Sequence, residues 1–220
     1  MGRCQNDSVD IKSRGAEVLS VTVQIQSVLF NNQKTALVRT LENLQNAMRV
    51  DGETNQCVRD AVLIWGDASP AALFSEEEIT ELNSKFDRLS LRYEFFNENT
   101  GTAKGHNRMA KQGTSDYIMI MNPDIIVNPR IFAQLLQPFK DEGVGITEAR
   151  QTPIEHRKEY DEDTGETSWA STACTMIKRE VFDKVSGFDE NTFFMYCDDL
   201  DFSWMVRLAG YKVVYVPSAV

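Results

Sequence analysis

Short apolar runs and amphipathic stretches alternate along the first 140 residues of the chain. The apolar runs are rich in Val, Ile, Leu and aromatic residues, and turn-forming residues close most of them, which indicates buried strands. Between the runs, apolar residues recur three or four positions apart, as on one face of a helix. The predicted strands are residues 18–30, 61–65, 91–96, 116–121 and 144–147, and the predicted helices are residues 35–48, 76–89, a short helix ending near residue 113, and 130–140.

A charged segment, residues 151–166, is predicted to be a loop, and a strand (171–177) and two helices (179–184 and 200–209) follow it. Strands that alternate with helices imply crossover connections, so the predicted fold class is α/β. We expect a Rossmann-like, mainly parallel sheet with helices on both faces. Ligands bind to such sheets at the carboxyl ends of the strands. Candidate chemistry is therefore expected in the turns that follow the strands.

The composition fits one folded domain. With 42% hydrophobic and 25% charged residues in a chain of 220, we expect a single domain at residues 18–220 after a flexible tail at residues 1–17. No run reaches the roughly 18 to 20 apolar residues of a membrane span, and no secretory signal opens the chain, which predicts a cytoplasmic protein with no transmembrane segment. The net charge of −10 argues against nucleic acid as a partner.

Oxygen ligands for a divalent cation follow the fourth predicted strand. Asn122 and Asp124 flank Pro123, and a hard cation needs only one or two carboxylates when a substrate diphosphate supplies further oxygens. All three residues also favour turns, so a plain turn is the alternative interpretation. The cysteines and histidines have no partners at the spacing of a zinc site.

Two further turns carry polar residues suited to a nucleotide. Asp67 directly follows a predicted strand, where its carboxylate is placed to bind a base or ribose or, alternatively, to form an Asx-type turn. The loop at residues 97–107 contains Gly101, Lys104 and Gly105, the small residues and the cation that a phosphate-bearing ligand uses. This loop is neither a P-loop nor a G-x-G-x-x-G motif.

Three carboxylates, Asp198, Asp199 and Asp201, lie where the last predicted helix begins, after an aromatic-rich stretch at residues 193–196. One interpretation is that Asp198 or Asp199 caps the helix and Asp201 complements its positive end. The other is that repulsion and an apolar surrounding raise the proton affinity of at least one carboxylate, which makes it a candidate general base.

These motifs together resemble those of the family 2 glycosyltransferases, inverting enzymes with the GT-A fold, and most closely the rhamnosyltransferase-like members. The resemblance runs from about residue 18 to the last residue. The matching stretches are V-L-F-N (28–31), G-D-A-S (66–69), N-E-N-T-G-T-A-K-G-H-N (97–107), M-N-P-D-I-I-V-N-P (121–129), G-F-D-E-N-T-F-F-M-Y-C-D-D-L-D (187–201) and R-L-A-G-Y-K-V-V-Y-V-P-S-A (207–219).

The resemblance implies a role for each motif residue on the donor side. Asn31 and Asp67 would contact the nucleotide base, with Asp67 reading its imide N–H. Asp124 would bind Mg²⁺ or Mn²⁺ at the diphosphate. The other residues implied to bind the nucleotide sugar are Lys104, Asn107 and Asn122, the last standing where many relatives have the first Asp of a D-x-D motif.

On the acceptor side, the resemblance implies that Asp199 is the catalytic base. It would take the proton from the acceptor hydroxyl while that oxygen attacks the anomeric carbon from the face opposite the diphosphate, which inverts the anomeric configuration. Asp198 stands where many relatives have Glu and would contact the acceptor. Relatives often continue beyond the position of Val220, so the resemblance implies a chain truncated at its C-terminus.

The predicted function is therefore transfer of a hexose or deoxyhexose from a nucleoside diphosphate sugar to a glycan or lipid-linked acceptor, as in cell-surface polysaccharide synthesis. We expect the protein in the cytoplasm, at the inner face of the membrane, with peripheral contact through the missing C-terminal region. One alternative is a catalytically silent module that binds nucleotide sugars. Another is a sugar nucleotidyltransferase, although its Gly-rich basic first turn has no counterpart in V-L-F-N-N-Q-K.

Overall fold

The computed structural model describes residues 20–153 and 158–220, so the predicted N-terminal tail and the start of the predicted first strand lie outside the described residues. Eight strands of the described chain form one sheet. They are β1 (Val21–Leu29), β2 (Val58–Asp67), β3 (Ser90–Phe95), β4 (Tyr117–Met121), β5 (Val144–Ala149), β6 (Glu166–Thr167), β7 (Cys174–Lys178) and β8 (Lys212–Val216).

The strand order in the sheet is β3-β2-β1-β4-β7-β5-β8-β6. Strands β3, β2, β1 and β4 are parallel to one another, and β5 is parallel to β8. Strand β7 is antiparallel to both β4 and β5, and the short β6 is antiparallel to β8. The predicted mainly parallel sheet is confirmed, and its parallel strands all end at the same edge.

Helices cover both faces of this sheet. In the described residues they are α1 (Lys34–Thr54), α2 (Glu76–Lys85), α3 (Gly101–Ala110), α4 (Ile131–Leu136) with a 3-10 turn (Gln137–Lys140), α5 (Arg179–Lys184) and α6 (Asp198–Leu208). One apolar cluster joins α1, α2 and α4 to the sheet, and another joins α3, α5 and α6 to the opposite face. Strand β4 supplies Met119 to the first cluster and Ile118 and Ile120 to the second, because side chains alternate along a strand.

The helix that follows β3 begins earlier than predicted. Helix α3 starts at Gly101, so most of the predicted loop at residues 97–107 is helical. Gly101 has φ +65°, and a Cβ there would lie 2.0 Å from the carbonyl oxygen of Phe194. The helix can therefore start at this residue only because glycine tolerates both the left-handed backbone and the close approach of a distant segment.

Two strands, β6 and β8, have no counterpart among the predicted elements. The apolar run of β8 follows directly after helix α6, and its Val213 and Val214 are buried. Strand β6 has two residues and depends on β8 for its pairing. Across the parts of the chain described here, no helix combines the length and the apolar character that crossing a bilayer requires.

Candidate active site

Four of the predicted site residues lie at or just after the carboxyl ends of parallel strands: Asn31, Asp67, Asn122 and Asp124. Strands β1, β2 and β4 end at Leu29, Asp67 and Met121, and α3 begins shortly after β3. The first turn of α6 is joined to the first turn of α3, because Thr102 N donates to Phe194 O at 2.9 Å and Thr102 Oγ1 donates to Asp198 Oδ2 at 2.6 Å. The structure therefore brings the acidic cluster to the same edge as the strand-end turns.

Asp67 is buried and uses both carboxylate oxygens within its own chain. Its Oδ1 accepts from Ser69 N at 2.9 Å, and its Oδ2 accepts from Leu73 N at 2.8 Å and from the Tyr93 hydroxyl. Burial, together with this hydrogen bond, raises the pKa of Tyr93 to about 12. The bond to the backbone two residues ahead confirms the Asx-type turn. The contact of Asp67 with a nucleotide base stays a prediction.

Asn31 is exposed and sits in the turn after β1 with φ 54°. Its backbone N–H donates to Ser69 Oγ at 2.9 Å, which ties this turn to the turn after β2. A cavity of about 260 Å³ lies between these turns and the one after β3, lined by Phe30, Ala68, Ser69, Pro70, Asn97, Glu98 and Asn99. Asn31 is thus next to a concave surface at the predicted edge.

The two residues of α3 that are predicted to bind the nucleotide sugar differ in their surroundings. Lys104 is partly exposed and forms an ion pair with Glu98 at 2.8 Å, and this hydrogen bond is the main reason that the pKa of Glu98 is lowered. Asn107 is buried, and its Nδ2 donates to Phe188 O at 2.8 Å and to Glu190 Oε2 at 2.7 Å. Because Asn107 Oδ1 also accepts from Phe188 N, the amide anchors the Gly-Phe-Asp-Glu segment.

Asn107 also lines a wide groove of about 790 Å³ between α3, α5 and the start of α6. This groove is larger than the cavity between the strand-end turns, and it lies along the helices on one face of the sheet. The hydrogen bonds of the Asn107 side chain go to Phe188 and Glu190. Its predicted contact with the donor stays a prediction, while its structural contacts are well defined.

Asn122 and Asp124 are both exposed in the turn after β4. The backbone of this turn is fixed, because Asn122 N donates to Ala173 O at 2.9 Å and Thr40 Oγ1 donates to Pro123 O at 2.9 Å. No hydrogen bond from the described residues engages the Asp124 carboxylate. Asp124 is therefore exposed on a turn whose backbone is held by hydrogen bonds.

The residues at this turn fit a cation that is shared with a ligand. Among the described residues, no group of three His, Cys, Asp or Glu side chains could hold a metal ion by itself. A single exposed carboxylate with a neighbouring amide oxygen suits Mg²⁺ or Mn²⁺ when a diphosphate supplies the other oxygens.

The acidic cluster occupies the first turn of α6 instead of capping it. Cys197 is the N-cap residue, with φ 61°, and no side chain caps the helix. The predicted capping by Asp198 or Asp199 is wrong, because two consecutive left-handed residues, Tyr196 and Cys197, turn the chain just before the helix. Asp201 lies in the first turn, where its charge complements the helix dipole as predicted.

Asp198 and Asp199 have different environments. Asp198 is buried and is held by Thr102, whereas Asp199 is half-buried and its Oδ1 accepts from the N–H of Leu200 at 2.9 Å. Burial raises the pKa of Asp199, and the negative charge of Asp198 raises it further, against the N–H of Leu200 and the charge of Lys158. The predicted raised proton affinity of one carboxylate in this cluster is confirmed in direction.

A buried ion pair beside the acidic cluster was not predicted from the sequence. Glu148 of β5 and Lys158 form an ion pair in which each side chain is 3% exposed. The charge of Asp199 contributes to the raised pKa of Glu148, whose main cause is burial. Glu148 could have been singled out from the sequence, because its carboxylate directly follows the apolar run of a predicted strand. Lys158 could not, because it is one of several charged residues in the predicted loop.

Comparison with known proteins gives consistent results. A family model described as Glycosyl transferase family 2 matches residues 28–197. An N-acetylglucosaminyl-diphospho-decaprenol L-rhamnosyltransferase of Mycobacterium tuberculosis is 45% identical over 51 residues, which are 23% of this chain and 16% of that protein. Rhamnosyltransferase WbbL of Escherichia coli K12 is 25% identical over 135 residues, which are 47% of this chain and 50% of WbbL. The chain thus spans half or less of these relatives.

Solved structures with the same fold are GT-A glycosyltransferases, which confirms the predicted fold. The mannosyltransferase PcManGT from Pyrobaculum calidifontis, in complex with GDP-Man and Mn²⁺, has a TM-score of 0.70 at 16% identity. The match covers 90% of this chain and 55% of the PcManGT chain. GalNAc-T7 with UDP, GalNAc and Mn²⁺ has a TM-score of 0.69 at 14% identity, and the match covers 91% of this chain and 42% of the GalNAc-T7 chain.

Proposed function

Because the chain belongs to glycosyl transferase family 2, we propose that it transfers a hexose or deoxyhexose from a nucleoside diphosphate sugar to a hydroxyl of a lipid-linked or glycan acceptor. One observation carries the proposal. A half-buried carboxylate with a raised pKa, Asp199, lies at the same sheet edge as Asp124, an exposed carboxylate on a hydrogen-bonded turn. The first suits a general base, and the second suits a cation that binds a diphosphate.

On the donor side, we assign the base and ribose to the cavity between the turns after β1, β2 and β3. Asn31 borders this cavity through its contact with Ser69. A hydrogen bond to Asp67 holds part of the cavity wall in place, since it fixes the backbone of Ser69. Asp124 and Asn122 would hold Mg²⁺ or Mn²⁺, which supplies the charge that neutralises the diphosphate as it leaves.

On the acceptor side, Asp199 takes the proton of the attacking hydroxyl. The new bond forms between this oxygen and the anomeric carbon, and the bond from the anomeric carbon to the diphosphate oxygen breaks on the opposite face, so the configuration inverts. A raised pKa makes Asp199 a better proton acceptor than an ordinary carboxylate once it is ionised. The hydrogen bond from Thr102 to Asp198 keeps the first turn of α6 against α3, and Asp198 is assigned to the acceptor.

An exposed apolar surface near Asp199 favours a lipid-linked acceptor. Leu200, Trp204 and Leu208 recur every four residues along α6, and Tyr196 precedes them. Their exposed fractions are 37%, 60% and 79% along the helix and 78% for Tyr196. An isoprenoid chain would cover this surface while its sugar hydroxyl meets Asp199. A lipid acceptor would also bring the protein to the inner face of the membrane.

The test is a donor panel. We would incubate the protein with UDP-, GDP- and dTDP-linked hexoses and deoxyhexoses and Mn²⁺, and follow release of the nucleoside diphosphate with a polyprenyl diphosphate-linked sugar as acceptor. Release with at least one donor is expected. Donor binding without any release would favour the silent module, and release of inorganic diphosphate from a nucleoside triphosphate and a sugar phosphate would favour the nucleotidyltransferase.

The acceptor class is tested by varying the lipid. Trp204→Ser should slow transfer to the polyprenyl-linked acceptor about tenfold and leave transfer to the same sugar on a short alkyl chain nearly unchanged, since only the long chain reaches the apolar surface. Equal effects on both acceptors would argue against a lipid bound along α6.

A further inference from the structure

The ion pair of Glu148 and Lys158 is buried between the end of β5 and the segment before β7. Besides this pair, Lys158 Nζ donates to Trp169 O at 2.9 Å and lies 4.0 Å from the centroid of the Trp169 ring. The backbone N–H of Ser171 lies close enough to the Glu148 carboxylate to lower its pKa. Both side chains of the pair therefore lie against the backbone of residues 169–171.

That stretch, Trp169–Ala170–Ser171, also contacts the first turns of α6. Ala170 N donates to Ser203 Oγ at 3.0 Å, and Ser203 Oγ donates to the backbone oxygen of Asp199 at 2.7 Å. A continuous set of hydrogen bonds thus runs from the buried pair, through three consecutive residues, to the backbone of the proposed base.

Stability alone gives little reason for such a pair. Removing two charges from water costs several kcal/mol per ion, and replacing a buried ion pair by apolar residues is often neutral or stabilising. The hydrogen bond from Lys158 to Trp169 O is directional, however, and it fixes the backbone that Ser203 joins to Asp199. A fixed position of the base matters, because a misplacement of about 1 Å can slow a reaction about a hundredfold.

We propose that Glu148 and Lys158 are positioning residues for Asp199, acting through the backbone of Trp169, Ala170 and Ser171. This inference rests on the proposed function, because it takes Asp199 as the base. Neither residue touches the substrate in this assignment.

The charges of the pair also act directly on Asp199. The positive charge of Lys158 lowers the pKa of Asp199, whereas Glu148 and Asp199 repel each other. Among the described residues, Asp198 on the same helix also faces Asp199, and its negative charge raises the pKa of Asp199. Removing one member of the pair should therefore shift the titration of Asp199 in a direction set by the sign of the charge that is lost.

The first test measures this titration without any substrate. With ¹³C-labelled aspartate carboxyl groups, the NMR signal absent from Asp199→Asn identifies Asp199. We expect a higher pKa in Lys158→Met and a lower pKa in Glu148→Gln. The matched control is Lys212→Met, which breaks an exposed pair with Asp141 at the other end of β5 and β8, and it should leave the titration unchanged. The same titration in all four proteins would overturn the inference.

The second test changes a backbone contact and leaves both buried charges in place. It therefore still tests the proposal if the Lys158 variant does not fold. Ser203→Ala removes the hydroxyl between Ala170 and Asp199, and we expect about a tenfold lower kcat in the donor panel with an unchanged donor KM. The control is Ser84→Ala, whose hydroxyl donates only within its own exposed helix. A wild-type kcat in Ser203→Ala would contradict positioning through this segment.

The two proposals fail in different ways. If Asp199→Asn kept full transfer, Asp199 would not be the base and the proposed mechanism would fall. If Asp199→Asn were inactive while the Glu148, Lys158 and Ser203 variants kept the wild-type titration and kcat, only the positioning role would be lost.

Discussion

Two aspartates of the motifs, Asp67 after β2 and Asp199 in the first turn of α6, have opposite environments. Asp67 is fully buried and accepts three hydrogen bonds from its own chain. Asp199 is only half-buried, and its carboxylate accepts from the backbone of the next residue. A carboxylate whose lone pairs are occupied stabilises a turn, whereas one that is partly desolvated and has few partners can exchange a proton.

This difference shows that similar motif positions do not imply similar roles. Both residues match family motifs, and both lie at the carboxyl edge of the sheet. Only their surroundings separate them, because the pKa and the free lone pairs of a carboxylate depend on its neighbours. The following predictions test that separation, from the largest expected effect to the smallest.

The largest effect is expected for the activity of Asp199→Asn. The amide cannot accept the proton of the acceptor hydroxyl, so transfer should fall about a thousandfold, within the range for loss of a general base. Donor binding should stay unchanged, as measured by calorimetry with the nucleoside diphosphate and Mn²⁺. Asp201→Asn is the control in the same turn, and an equal loss there would argue against a special role of Asp199.

For Asp67 the main expected effect is on stability. Asp67→Asn places an amide NH₂ among three donors, so the free energy of unfolding should fall by about 3 kcal/mol, as for lost hydrogen bonds to a buried charge. Urea unfolding measures the change. Asp60→Asn, at an exposed position of the same strand, should change it by less than about 0.5 kcal/mol. A fully stable Asp67→Asn would show that the carboxylate is not needed for the turn.

A smaller effect is expected for Asp124→Ala. Loss of the exposed carboxylate should weaken Mn²⁺-dependent binding of the nucleoside diphosphate about tenfold, which corresponds to about 1.4 kcal/mol. Binding in the presence of EDTA should be the same in wild type and variant. Asp60→Ala serves as the control, and equal binding by wild type and Asp124→Ala with Mn²⁺ would rule out the proposed metal ligand.

The smallest effect concerns the pH dependence of stability. The pKa of Asp199 is raised in the folded protein, so the folded state holds this proton more tightly than the unfolded state. Its carboxyl group therefore costs stability as the pH rises from the unfolded pKa through the folded pKa. Asp199→Asn should be slightly more stable than wild type above this range and equal to it below, in thermal unfolding at several pH values. A less stable variant at neutral pH would contradict this.

Much of the fold could be predicted from the sequence. The apolar runs of β1 to β5 and β7 and the helical spacing of α1 and α2 are local patterns, so their periodicity indicates them directly. The missed strands are of another kind. Strand β6 needs β8 as a partner, and the early start of α3 depends on the approach of Phe194 to Gly101. Such contacts join residues far apart in the chain, which no local pattern shows.

The sequence by itself determined the class of fold, the edge of the sheet where the motifs meet and the family to which they belong, because periodicity and motif spacing are properties of neighbouring residues. Only the tertiary structure decided which side chains are exposed, which are hydrogen-bonded within the protein and which charges lie close together. It occupies Asp67 and Asn107 with internal hydrogen bonds, leaves Asp124 exposed and places the buried Glu148–Lys158 pair beside Asp199. Burial and hydrogen bonding between distant segments set these properties, and they exist only in the folded chain.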